Sequence, residues 1–206
     1  GKYPARLRLT DWIPGKAPRL SERLLVPQWN KYLDPKEVTL ADAMKAAGYA
    51  TGFVGKWHLS PTGKRGKTPS GFDPAVCEPA ARGFGFVGTV KRGLKEDPKI
   101  VQSITDQAAR FVEENKDRPW FLYLCHHAVH VPVEARAEIE RKYAAQAAND
   151  AERQRARYAA MIEHADDGIG RFLAKLDELN LRERTVVIFT SDNGGLCTAE
   201  GSPTSN

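Results

Sequence analysis

Three short runs, the strand candidate Tyr49–Val54, the unbroken apolar Trp120–Cys125 and the β-branched Thr185–Thr190, punctuate a chain in which two longer stretches carry apolar residues at helical spacing. Each run has strand length, and the last is the richest in β-branched residues. Apolar strands without polar alternation are buried on both faces, which predicts a parallel sheet covered by helices. Ile100, Ile104, Ala108, Phe111 and Val112 predict a helix over about 99–114, broken by Asp117-Arg118-Pro119. Met161, Ala165, Ile169, Phe172 and Leu176 form the stripe of a longer helix, roughly Ala151 to Leu179. Thr39-Leu40-Ala41-Asp42 has the form of a capping box opening a short helix, and Gly48 sits where that helix stops. Strands alternating with helices predict an α/β fold, a largely parallel sheet flanked by helices. Residues 1–38 show little periodicity and are expected to be irregular, and residues 60–98 are expected to form a long loop.

Composition narrows the class. Hydrophobic residues at 41% and charged residues at 28% fit a globular chain rather than a disordered one. No run approaches the roughly 20 apolar residues of a membrane helix, so no membrane segment is expected. The net charge of +5 favours anionic partners. Its densest stretch, Lys64-Arg65-Gly66-Lys67, reads as a solvated loop. Without a recognised motif or an interleaved basic-aromatic stripe, nucleic acid is not an expected partner. Cys77, Cys125 and Cys197 are widely spaced and match neither a disulfide framework nor a zinc knuckle. The opening Gly1-Lys2-Tyr3-Pro4 has neither an initiator Met nor an apolar signal, as expected for a chain cut from a longer one.

The chemistry collects just beyond the three apolar runs. Gly55-Lys56-Trp57-His58 follows the first, His126-His127-Ala128-Val129-His130 the second, and Ser191-Asp192-Asn193-Gly194-Gly195 the third. In open α/β sheets, ligands bind beyond the carboxyl ends of the strands, so parallel neighbours would bring the clusters to one crevice. Lys56 and His58, two apart in extended backbone, point to the same side and suit a tetrahedral oxyanion. The alternative is a surface Lys and a core His. His126 and His130 have the spacing of a helical zinc pair, but His occupies position 127 where a metalloprotease needs Glu, and Pro132 disfavours a helix. Asp192 and Asn193 offer oxygen donors suited to a hard cation, or simply an Asn-Gly turn. Asp166 and Asp167 are adjacent on a helix and diverge by about 100°, so they are not paired catalytic carboxylates. Arg171, one turn on, is expected at the helix surface.

At these residues the chain resembles the sulfatase family of the alkaline phosphatase superfamily. Gly55-Lys56-Trp57-His58-Leu59 resembles the family's GKWHLG segment, His130-Val131-Pro132 its His-x-Pro, and Thr190-Ser191-Asp192-Asn193-Gly194 its metal-binding DNG. Gly1-Lys2-Tyr3-Pro4-Ala5-Arg6 is similar to the stretch that closely follows the family's nucleophile motif. The resemblance implies a sulfuric ester hydrolase whose formylglycine nucleophile attacks sulfur as the hydrated aldehyde. It implies that Lys56 and His130 bind the sulfate and that His58 holds or deprotonates the hydrated aldehyde. Asp192 and Asn193 would bind calcium, with magnesium as the alternative, and Asp192 could assist proton transfer. The substrate would be an aryl or carbohydrate sulfate, and a periplasmic or secreted location is expected.

The departures set limits. No C/S-x-P/A-x-R motif occurs: Cys77-Glu78-Pro79-Ala80-Ala81-Arg82 places its Arg one residue too far and lies after GKWH. The family's N-terminal Asp pair and a later sulfate-binding Lys are missing, and Ser60 replaces the Gly of GKWHLG. The expectation is therefore a partial catalytic domain over residues 1–206, truncated at both ends and inactive alone. A phosphate or phosphonate ester hydrolase of the same superfamily, and a non-catalytic binder of sulfated glycans, are the alternatives.

Overall fold

The computed structural model describes residues 1–13, 15, 24, 27–61, 73–90, 93–192 and 194. Lys64–Lys67, Asn193, Gly195 and Cys197 lie outside the described residues. The chain divides into two units, residues 1–51 with 57–87, and residues 52–56 with 88–206.

In the first unit, helix α1 (Pro4–Leu7) is a single turn. Helix α2 (Leu40–Ala46) starts as its sequence dictates. Thr39 Oγ1 accepts the Asp42 N–H at 3.1 Å, and the Asp42 carboxylate accepts the Thr39 N–H at 2.8 Å. Such a box satisfies two otherwise orphaned amides. Strand β1 (Ala50–Gly55) begins here and continues into the second unit. Residues 60–98 are more structured than a plain loop. They hold helix α3 (Pro74–Cys77), a 3₁₀ turn at Pro79–Arg82 and the two-residue strand β2 (Phe86–Val87). Arg82 is only 3% exposed, and its guanidinium donates to the carbonyls of Pro35 (2.8 Å) and Glu37. These bonds tie otherwise irregular backbone to the turn, which no periodicity could predict.

The second unit holds helix α4 (Val101–Asn115), strand β3 (Trp120–Cys125), helix α5 (Ala137–Ala144) and helix α6 (Asp150–Glu178). The five residues predicted for the α4 stripe are all buried, with Ile104, Ala108 and Val112 at 0% exposure. Each such Ile, Val or Phe stabilises the fold by about 1.5–3 kcal/mol. Helix α6 packs against α4 where Gly168 leaves room: a β-carbon there would stand 2.5 Å from Val101 Cγ1. Thr105 Oγ1 donates to the Gly168 carbonyl at 3.2 Å across the same contact. Asp166, Asp167 and Arg171 are exposed, and Arg171 pairs with Asp106 at 2.6 Å.

The strands form one parallel sheet in the order β2-β1-β3 with helices flanking it, an α/β architecture. The membership differs from expectation in two respects: β2 joins the sheet, and the third apolar run does not. Residues 185–190 pair with no strand among the described residues, and Val186, Ile188 and Phe189 are 87%, 83% and 82% exposed. Strand propensity measures fit to a packed, pleated surface, and here no neighbouring strand supplies one. Helix α5 also went unforeseen, because only Ile139 on it is buried. Among the described residues no helix is long and apolar enough to cross a membrane.

Candidate functional site

In the second unit, β1 and β3 end side by side. The Lys56 N–H donates to the Cys125 carbonyl at 2.8 Å. Gly55 makes this approach possible: its φ is +114°, and a β-carbon would lie 1.8 Å from the same carbonyl oxygen. Only glycine tolerates both conditions. The backbone thus fixes half-buried Lys56 beside the carboxyl end of β3.

Tyr123 and Cys125, two apart on β3, share a strand face and a hydrogen bond. Burial pushes the Cys125 thiol up, the Tyr123 hydroxyl and the Lys56 ammonium pull it down, and Asp192 pushes it up. Burial likewise raises the Tyr123 phenol, with Cys125 and Asp192 adding to the effect. Lys56 and Asp192 therefore act with opposite charge on one thiol. The exposed Asp192 carboxylate reaches the neighbourhood from a segment that is not a strand.

Other candidates are placed differently. His130 is exposed on the loop beyond β3, and its Nδ1–H donates to the Val131 carbonyl at 2.8 Å. His126, four residues earlier, has both ring nitrogens buried, so the pair spaced like zinc ligands occupies opposite environments. His58 belongs to the first unit, where its Nε2–H donates to the Ile13 carbonyl at 2.7 Å. Cys77 is 2% exposed, and burial raises its thiol, the opposite of what a nucleophile needs. Ser60, at the position of the family's glycine, is fully buried and donates to Glu78 at 3.1 Å.

Sequence reasoning missed a buried group on α6. His164 of α6 is fully buried, and among the described residues neither its ring nitrogens nor those of His126 have a hydrogen-bond partner. Burial, then the neighbouring His164, lowers the His126 pKa to about 4, against a smaller upward pull from Asp97. Burial lowers His164 as well, with Asp97 opposing. The one available signal was spacing: His164 lies between Met161 and Gly168 on the buried stripe of α6. Asp97 itself is 4% exposed and accepts the N–H groups of Gln102 (2.8 Å) and Ser103 (2.9 Å) at the start of α4.

For a cation, Asp192 supplies one hard oxygen donor group. Among the described residues no three His, Cys, Asp or Glu side chains group as ligands. Calcium takes six to eight oxygens, so the described residues fit it in donor type but not in number.

The family model described as Sulfatase matches residues 16–203. A sulfatase of Formosa agariphila is 27% identical over all of this chain and 48% of its own length. An N-acetylgalactosamine-6-O-sulfatase of Bacteroides thetaiotaomicron is 27% identical over 94% of this chain and 47% of its own. The chain therefore spans about half the length of these curated relatives. The crystal structure of Ps i-CgsB superimposes with a TM-score of 0.62 over 87% of this chain and 42% of that one, at 20% identity, a likeness of fold.

Proposed function

The chain belongs to the sulfatase family, and on that premise we propose that it carries the sulfate-binding part of a sulfuric ester hydrolase. Lys56 and His130 bind the ester sulfate. The ammonium donates to its oxygens, the imidazole ring contacts them, and together they stabilise charge that builds as the S–O bond to the alcohol breaks. His58 holds or deprotonates the hydrated aldehyde of a formylglycine, and its Nε2–H bond to Ile13 leaves Nδ1 as the nitrogen for that task. Calcium, or magnesium, bound at Asp192 and Asn193 would polarise the sulfate. With the ligand set incomplete among the described residues, every other step is assigned to protein side chains.

The observation that most supports this reading is the Lys56 amide bonded at 2.8 Å to the Cys125 carbonyl at the carboxyl end of β3, where the Lys56 and Asp192 charges pull the Cys125 thiol in opposite directions. A cation and a carboxylate gathered beyond a parallel strand suit a tetrahedral anion with its counter-ion. A carbohydrate sulfate is the favoured substrate class, because one relative is named an N-acetylgalactosamine-6-O-sulfatase.

No formylglycine motif occurs in the 206 residues, so the chain alone is expected to release no 4-nitrophenol from 4-nitrophenyl sulfate. Joined to a formylglycine-bearing segment, these residues should hydrolyse that sulfate faster than the matching phosphate. Release by the chain alone overturns the inactivity, and faster phosphate turnover overturns the sulfate assignment.

A further inference from the structure

The first unit holds a basic cavity that the proposed chemistry leaves unused. It encloses about 640 Å³, and Lys2, Arg6, Lys36 and Glu37 supply the charges of its lining, with Leu7 and Leu33 among its apolar residues. Two stretches of chain form it. The first runs through α1, whose last turn carries Arg6. The second, residues 33–39, has no regular structure but is held along its length. The Leu33 N–H donates to the Leu59 carbonyl at 2.9 Å, and the Arg82 guanidinium donates to the Pro35 carbonyl at 2.8 Å and to that of Glu37. Thr39 then anchors its end through the capping box. The Lys2 ammonium joins the two stretches by bonding both Glu37 carboxylate oxygens, at 2.7 and 2.6 Å.

That pair uses the one carboxylate in the lining. The Arg6 guanidinium and the Lys36 ammonium make no hydrogen bond or ion pair among the described residues. The lining thus sets three cations against one carboxylate. The flanking acids do not reverse this. Asp34 accepts the Lys36 backbone N–H at 2.9 Å, and Asp42 accepts the N–H and hydroxyl of Thr39. Counted with them and with buried Arg82, cations still exceed carboxylates, four to three. Such an excess in a concave site attracts anions. Arg6 and Lys36 are exposed, Leu7 is half-buried and Leu33 is 8% exposed. A bare inorganic ion gains nothing from the leucines, whereas an anionic group on a carbon skeleton uses both kinds of surface. The volume suits it, since small-ligand sites run from about 300 to 1,000 Å³.

We propose that this cavity is a second binding site, for a sugar chain carrying several sulfate or carboxylate groups. Arg6 and Lys36 take the anions, and Leu7 and Leu33 contact the sugar carbons. The choice of a sugar chain rests on the carbohydrate-sulfate reading, while the cavity itself is built from first-unit residues, apart from Lys56 of the second unit.

Titration calorimetry tests it with a hexasaccharide of alternating glucuronate and N-acetylgalactosamine 6-sulfate. Lys56→Met is introduced first, so that the proposed ester-sulfate site is silenced, and this chain should still bind the hexasaccharide. Adding Arg6→Gln or Lys36→Met should weaken binding roughly two- to fivefold each, the worth of one exposed ion pair, and both together about tenfold. Glu37→Gln frees Lys2 and removes the opposing charge, so it should tighten binding about twofold, a change that misfolding would not produce. No hexasaccharide binding in the Lys56→Met chain, or affinity indifferent to Arg6 and Lys36, overturns the second site. A single-stranded oligothymidylate bound as tightly through the same residues overturns its assignment to a sugar chain. Separately, binding of the monosaccharide N-acetylgalactosamine 6-sulfate should depend on Lys56 and not on Arg6 or Lys36. Monosaccharide binding indifferent to Lys56→Met overturns the parent reading and leaves the first-unit cavity to stand on the hexasaccharide result.

Discussion

Lys56 and Cys125 are joined across the ends of two parallel strands, amide to carbonyl at 2.8 Å, with Gly55 pressed against the same oxygen. Gly55→Ala would force a β-carbon into that carbonyl at a φ that L-residues avoid. A loss of at least about 3 kcal/mol is expected, from strain and clash together. Urea denaturation measures it, and a variant as stable as the parent would show that the strand ends do not approach as described.

The charges around Cys125 can be read through its own reactivity. Lys56 lowers the thiol pKa and Asp192 raises it. Lys56→Met should therefore leave less thiolate and slow alkylation of Cys125 by iodoacetamide, while Asp192→Asn should speed it. Peptide mapping by mass spectrometry follows Cys125 separately from the other thiols. Rates unchanged in both variants would place Lys56 and Asp192 apart and remove the main support for the anion site.

Acid should destabilise the second unit through His126 and His164. An imidazole whose folded pKa lies below its unfolded value stabilises the fold fully above the unfolded value. That stability is lost as pH falls, because the unfolded chain binds more protons in between. For His126 the window runs from 6.5 down to about 4, and the difference is worth about 3 kcal/mol. His164 shifts the same way. Denaturation midpoints at pH 7.5 and 4.5 should differ accordingly, and His164→Leu should flatten the dependence. Equal midpoints in the unaltered chain would contradict the burial of these rings.

Local rules carried much of the fold. The capping box at Thr39, the stripes of α4 and α6 and the runs that became β1 and β3 all rest on short-range periodicity, and each element lies within two residues of its prediction. What escaped prediction depends on distant partners. Residues 185–190 have strand composition but no strand beside them among the described residues, and β2 is too short to show a period. Within the site, Lys56 and Asp192 were legible from their places after apolar runs. Outside it, the left-handed Lys99 and Ile100 were not, because nothing in Asp97-Pro98-Lys99-Ile100 announces two such residues in succession. His164 looked like one polar interruption of a stripe, and only the packing of α6 against its neighbours shows that its ring is sealed from water.

The bare stretch at 186–189 has a practical corollary for anyone handling the protein. Exposed apolar side chains on a backbone unpaired among the described residues offer a template onto which a like segment of another molecule can zip. Concentrated solutions should therefore grow sticky, sheet-rich aggregates from this ribbon first. A lysine at Ile188 would act as a gatekeeper against them without touching the anion site.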